Sequence, residues 1–384
     1  MPSHAAASRS AGASDARFDP AAFIVPALAQ LPVKDKTDYR GVVNLSSNES
    51  DLAGLRALFR RYLNQAPETC ATRYPDWPTL LRETASFYGL PAAGLVMDAG
   101  SDSTIRAIAG LFGRACGSMV VQEPNYPNYR YYAALAGCEL TGLRHPADHW
   151  DENIVDLARP LLAGRAPSVV VVTNPNGFTG SAIPLPEMER LCDLCAQGNH
   201  LLVIDEAYAP FATISHRSLL ERYRGAMIVR SFSKCCGMAG LRLGLTIADE
   251  PLAAYLRRWC GVNAVSAMAA GCLSYCFAHA DEVAAQRDRM EIVRAEVAAE
   301  VARLFPAWRS PPSAANFLLF DTGSAAVADA LAAHLAARRI IVKHFPDGPV
   351  GLRACLRMTL GDREVMVSVL AGMRAFAATM ESIR

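Results

Sequence analysis

Between residues 95 and 248, short runs of Val, Ile, Leu and Met recur with helical segments between them, and few folds accommodate that alternation. The runs span residues 95–98, 118–122, 139–143, 168–173, 201–204, 226–230 and 244–247. Several, such as Val169-Val170-Val171-Val172, are almost continuously aliphatic rather than alternating, as expected of strands buried on both faces. A sheet with two apolar faces needs a helical layer on each side, and intervening helices carry the chain back to start the next strand in parallel. The pattern predicts an α/β fold with a mostly parallel seven-stranded sheet flanked by helices. Residues 103–114 read as one helix, with Ser101 and Asp102 as caps, and 186–196 as another, opening on Pro186 and closing near Gly198.

Beyond this region, residues 261–280 contain no Asp, Glu, Lys or Arg and approach the roughly 20 residues of a membrane span. They are dominated by Ala, Ser, Gly and Cys with Asn263, Tyr275 and His279, which favours a tightly packed internal or subunit-interface helix. A charged helix over 281–305 then leads to strands at 316–321, 340–343 and 355–360 and an apolar-periodic helix at 365–380. The expected organisation is a disordered tail over 1–20, an N-terminal arm and part of a small domain over 21–70, a large domain over 71–280, and a small α/β domain over 281–384. Residues 1–17 lack the continuous apolar stretch of a secretory signal.

The formal net charge of +1 carries no footprint of a nucleic-acid or polybasic membrane binder, so small molecules are the expected partners. The eleven cysteines show neither disulfide-framework nor zinc-module spacing, which points to reduced thiols in the cytoplasm. Cys192 and Cys195 read as core thiols, His145 and His149 as surface residues, and Arg222, Arg224 and Arg230 as a solvated face. No metal-ligand set is evident.

Ligands of open parallel sheets bind beyond the carboxyl ends of the strands. Four ends here are chemically loaded: Gly100-Ser101-Asp102, Asn174-Pro175-Asn176-Gly177, Asp205-Glu206-Ala207-Tyr208 and Ser231-Phe232-Ser233-Lys234. Singly, each reads as a turn, a cap or a solvated charge. Together they meet the needs of a phosphorylated aldehyde cofactor, which requires an amine to form an imine, an anion at its ring nitrogen and a donor-rich cup for its phosphate. Lys234 supplies the amine, Asp205 the anion, and Tyr208 a donor to the ring phenolate oxygen. Ser231, Ser233, Arg242 and the amides at Ser101 and Asp102 form the cup.

The segment Ser231-Phe232-Ser233-Lys234-Cys235-Cys236-Gly237-Met238-Ala239-Gly240-Leu241-Arg242-Leu243-Gly244 closely resembles the lysine-bearing segment of fold-type I pyridoxal-phosphate aminotransferases, in particular the histidinol-phosphate aminotransferase branch. The resemblance runs from about Asn44 to the C-terminal helix. It implies pyridoxal 5′-phosphate as cofactor and a homodimer in which Tyr74, within Arg73-Tyr74-Pro75-Asp76, reaches the phosphate of the neighbouring subunit. It further implies that Tyr126 stacks on the pyridine ring and that Arg357 grips the substrate carboxylate, with Arg353 as the less favoured rival, while Asn176, or Tyr208 alone, bonds the ring oxygen in place of the family's usual donor. Asn48 and Asn316 fall where the family contacts substrate.

Three positions depart from the family pattern. Gly177 replaces the usual asparagine donor to the ring oxygen and is followed by Phe178. Lys343 stands where an arginine for the substrate phosphate is usual. The arm around Phe23-Ile24-Val25-Pro26 lacks the usual basic pattern. The expected reaction is amino transfer from an α-amino acid to a 2-oxo acid through a Lys234 Schiff base. The alternatives are decarboxylation, oxidation or elimination with the same cofactor, and a non-catalytic ligand-binding module.

Overall fold

A computed structural model describes residues 24, 26–29, 31, 39–145, 153–211, 215–261, 263–346, 348 and 351–381. Met1–Asp35 form one unit, in which the helix Pro26–Ala29 is described, and Lys36–Arg384 form a second, compact unit. The tail expected over 1–20, Phe23, Val25 and His149 lie outside the described residues.

The larger unit contains strands β1 (Val43–Leu45), β2 (Leu95–Asp98), β3 (Ser118–Glu123), β4 (Glu139–Arg144), β5 (Val169–Thr173), β6 (Leu201–Asp205), β7 (Ala226–Ser231), β8 (Gly244–Ala248), β9 (Phe317–Asp321), β10 (Ile340–His344) and β11 (Cys355–Thr359). They build a seven-stranded sheet in the order β2-β8-β7-β6-β5-β3-β4 and a four-stranded sheet in the order β1-β10-β11-β9. In the large sheet β4, β3, β5, β6 and β7 run parallel, and β8 is antiparallel to both β7 and β2. All seven expected strands are present.

Alternation along each strand divides the core. Val170 and Val172 of β5 pack with Val120, Leu202, Ile204 and Ile228 on one side of the sheet. Val169 and Val171 pack with Met119, Val121, Val203 and Val229 on the other. Period-two side chains on a fully covered sheet require this arrangement. The small sheet has its own core, in which Phe317, Leu318, Val342, Leu356 and Met358 meet Val297 and Val301 of the helix Ala280–Leu304 and Met366 and Val369 of the helix Arg363–Glu381.

Local signals fix the connections. The helix Trp77–Tyr88 begins where the Asp76 side chain accepts from Thr79 N–H and ends at Gly89, whose φ of 61° closes the last turn. The charge-free segment becomes the helix Ala267–Ala278, capped by Ser266 and burying Ala269, Ala270, Cys272, Leu273 and Cys276, so it is an internal helix. Among the described residues no helix is long and apolar enough to cross a membrane.

Candidate active site

The carboxyl ends of β5, β6 and β7 open onto a cavity of about 1210 Å³, closed on its far side by β10, β11 and the segment that follows β1. Eleven of the residues singled out from sequence line it: Asn48, Ser101, Asp102, Tyr126, Asp205, Tyr208, Ser231, Ser233, Lys234, Arg242 and Arg357. Lys234 and Asp205 therefore face one cavity.

Asp205 ends β6, with only 4% of its surface exposed. Its Oδ2 accepts from the Tyr129 hydroxyl at 2.9 Å and its Oδ1 from Ala207 N–H at 3.0 Å. Burial raises its pKa to about 6, against the opposing pull of these two donors. Among the described residues no cation pairs with Asp205, so a cation brought by a ligand would relieve a standing electrostatic cost.

Glu206, next in the chain, serves a different purpose. It is fully buried, accepts from Arg230 Nε at 2.9 Å and Nη2 at 2.7 Å, and accepts from His216 Nδ1 at 2.9 Å. Burial disfavours its charge, but His216 and Arg230 outweigh it and hold its pKa below the ordinary value. Arg230 thus corrects the expectation of a solvated arginine face: its side chain is 13% exposed and locks β7 to β6. Arg222 does lie at the surface, paired with Asp193.

Lys234 sits in the single helical turn Phe232–Cys235 that follows β7, initiated by Ser231, whose hydroxyl accepts from Ser233 N–H. Its ammonium donates to Ser47 O at 2.8 Å. Burial, reinforced by the positive charge of Arg357, lowers its pKa to about 8.

The candidate phosphate cup collects Ser101 and Asp102 at the start of the helix Ser101–Ile108, Ser231, Ser233 and Arg242. Two glycines let these parts meet. A Cβ on Gly244 would come within 2.5 Å of Ser101 N, and one on Gly100, which has φ +83°, within 2.6 Å of Arg242 Nη2. Asp102 is tied down by Asn128 and by the Tyr132 hydroxyl at 2.7 Å. The Tyr126 ring lines the same region.

Across the cavity, Arg357 on β11 is 8% exposed and donates to Ser46 O at 2.8 Å and Gly177 O at 2.6 Å. Its guanidinium stands 5.5 Å from the Phe178 ring and 5.2 Å from the Phe317 ring, and among the described residues it has no carboxylate partner. Burial lowers its pKa accordingly. Lys343 is its register neighbour on β10 and also lines the cavity. The rival Arg353 is bound to Asp329 at 2.8 Å.

Three of the sequence-derived residues fall elsewhere. Asn176 is buried behind the wall, with Nδ2 donating to Pro124 O and Oδ1 accepting from Phe178 and Thr179 N–H, so its amide is consumed in holding the turn. Asn316 donates to Asn48 O and Ser50 Oγ, both at 3.1 Å, and supports the segment after β1 rather than lining the cavity. Tyr74 is 79% exposed and lines no part of this chain's cavity. Asn48 does line it, but its amide is bonded to Tyr208 and Thr359. Tyr129, Thr359 and Phe178 act at the site without having been singled out as contacts. Helical spacing gave a signal for the first, since Tyr129 and Tyr132 stand three residues apart on the helix Asn128–Ala136.

The family model for aminotransferase class I and II matches residues 40–372. A histidinol-phosphate aminotransferase of Roseiflexus castenholzii is 32% identical over 363 residues, covering 91% of this chain and 93% of its own. Among solved structures, the histidinol-phosphate aminotransferase of Sinorhizobium meliloti in complex with pyridoxal-5′-phosphate superposes with a TM-score of 0.79 at 22% identity, covering 96% of this chain and all of its own. The L-threonine-O-3-phosphate decarboxylase of Porphyromonas gingivalis shares the fold with a TM-score of 0.71 at 18% identity, covering 87% and 99%.

Fold and site together define a pyridoxal-phosphate-dependent transferase of the α/β type. The chain belongs to the class I and II aminotransferase family. Its residues fit that cofactor: a buried carboxylate without a cation, a half-buried lysine and a glycine-lined helix start face one cavity.

Proposed function

We propose that the enzyme transfers an amino group between an α-amino acid and a 2-oxo acid, with Lys234 holding the cofactor and moving the substrate proton. The observation that carries this reading is that half-buried Lys234 and buried Asp205 and Arg357, three ionisable groups without counter-ions among the described residues, line one cavity. When bound, pyridoxal phosphate supplies a carbonyl that condenses with amines and a ring that withdraws electrons from an adjacent Cα–H bond. Asp205 is the partner of the ring nitrogen, and Tyr208 donates to the ring oxygen. Ser101, Ser231, Ser233 and Arg242 hold the phosphate. The Arg357 fork fixes the substrate carboxylate. Lys234 Nζ, kept near neutrality by burial, takes the proton from the substrate Cα as general base.

Lys343, exposed on the cavity wall beside Arg357, favours donors or acceptors with a second anionic group. Tyr74, exposed and not part of its own chain's lining, is assigned to the cavity of a second copy in a homodimer. Eleven free cysteines suit a reducing compartment such as the cytoplasm.

A panel of amino acids and phosphorylated amines, incubated with and without an added 2-oxo acid, tests the reading. Keto-product formation that requires the acceptor is expected, together with a rise in KM for dianionic substrates alone in Lys343→Ala. Carbon dioxide release without an acceptor would replace transfer by decarboxylation.

A further inference from the structure

The direction of the Tyr208 hydroxyl is set by bonds that lie behind it. Asn48 N–H can only donate, so Thr359 Oγ1 accepts from it at 3.0 Å. The single Thr359 proton then goes to Asn48 Oδ1 at 3.1 Å. That fixes the amide with Nδ2 toward Tyr208, to whose oxygen it donates at 2.9 Å. Tyr208 has therefore spent an acceptor site on Asn48 and keeps its own proton, for which no acceptor exists among the described residues. Flipping the Asn48 amide would let Tyr208 donate to Asn48, but would strand the Thr359 proton in the interior, since Asn48 and Thr359 are each 1% exposed. The relay is also rigid: Asn48 has φ +54° and its carbonyl is held by Asn316.

The cavity gives this direction its use. Position 177 has no side chain, and a Cβ there would already lie 3.2 Å from Tyr208 Cε2, so no neighbour at that position shares the donor's task. We propose that Asn48 and Thr359 are positioning residues that force the Tyr208 O–H to point into the cavity, toward an oxyanion of the bound cofactor. This rests on the reading of the cavity as a pyridoxal-phosphate site. A donor aimed at the ring oxygen stabilises its negative charge and lowers the pH at which the imine proton leaves.

The test is a pH titration of the visible absorption of cofactor-loaded enzyme without substrate. Tyr208→Phe is expected to raise the titration midpoint by about one pH unit, the scale of one hydrogen bond to a charged group. Thr359→Val removes the proton that orients Asn48 and is expected to raise it by a large part of that shift, while Thr359→Ser restores the wild-type midpoint. Should Thr359→Val fail to fold, the smaller Thr359→Ala removes the same proton and is expected to shift the midpoint the same way. A clear shift in Tyr208→Phe with wild-type titration in both relay variants overturns the inference alone. Absence of any visible band in the wild type overturns it together with the cofactor reading.

Discussion

The Tyr129 hydroxyl donates to Asp205 Oδ2 at 2.9 Å, inside a core where Tyr129 is 1% and Asp205 4% exposed. This bond lowers, without cancelling, the cost of keeping a carboxylate out of water; the Asp205 pKa stays at about 6 because burial dominates. A carboxyl whose pKa is raised by folding takes up a proton as the chain folds. Between about pH 4 and pH 6 stability therefore falls as pH rises, and above pH 6 the full cost persists. Cofactor-free Asp205→Asn is expected to exceed the cofactor-free wild type by roughly 1–3 kcal/mol at pH 8, with the gap closing below pH 4. Urea unfolding at the two pH values measures it, and the same variant should lose cofactor on dialysis. A less stable Asp205→Asn at pH 8 would contradict the electrostatic account.

Lys234 is perturbed in the opposite sense. Burial first, and Arg357 second, lower its pKa to about 8, so its amine is half neutral near that pH rather than at 10.5. The neutral amine is the nucleophile that condenses with an aldehyde. Reconstitution of cofactor-free enzyme with pyridoxal phosphate should accelerate with pH along a curve whose midpoint is about 8, followed by stopped-flow absorbance. A rate still climbing toward pH 10.5 would show an unperturbed lysine.

Arg357 is held by two backbone carbonyls and two aromatic faces, which aligns the fork before substrate arrives. Arg357→Ala should lower kcat/KM for carboxylate substrates by about 10²- to 10³-fold, the worth of a desolvated charged pair, mostly through KM. Arg357→Lys keeps the charge but cannot reach both carbonyls and a carboxylate, so it should recover only part of the loss. Steady-state kinetics on one donor decides this, and a loss below about threefold in Arg357→Ala would remove Arg357 from substrate binding.

The sheet was readable from sequence because its strands are aliphatic on both faces, a pattern that no solvent-facing element produces. Lys234, Asp205, Tyr208 and Arg242 were readable because topology places strand ends, and the turns after them, around one cleft. Hydrogen-bond partners were not. Asn176 and Asn316 sit at motif positions, yet the whole Asn176 amide and the Asn316 Nδ2 are taken up by backbone or side-chain neighbours that only the folded chain brings near. Arg230 looked like part of a surface cluster until β6 set Glu206 against it. The strand β1 is three residues long and finds β10 across almost the whole sequence, beyond the reach of any local pattern.

The chain has four lysines, Lys34, Lys36, Lys234 and Lys343, and among the described residues Lys234 and Lys343 line the cavity. Borohydride reduction of cofactor-loaded enzyme fixes the imine to whichever lysine carries it, and peptide mass spectrometry then locates the adduct. The pyridoxyl mass on the peptide containing Lys234 is the predicted result; the same mass on the Lys343 peptide, with Lys234 unmodified, would contradict the account.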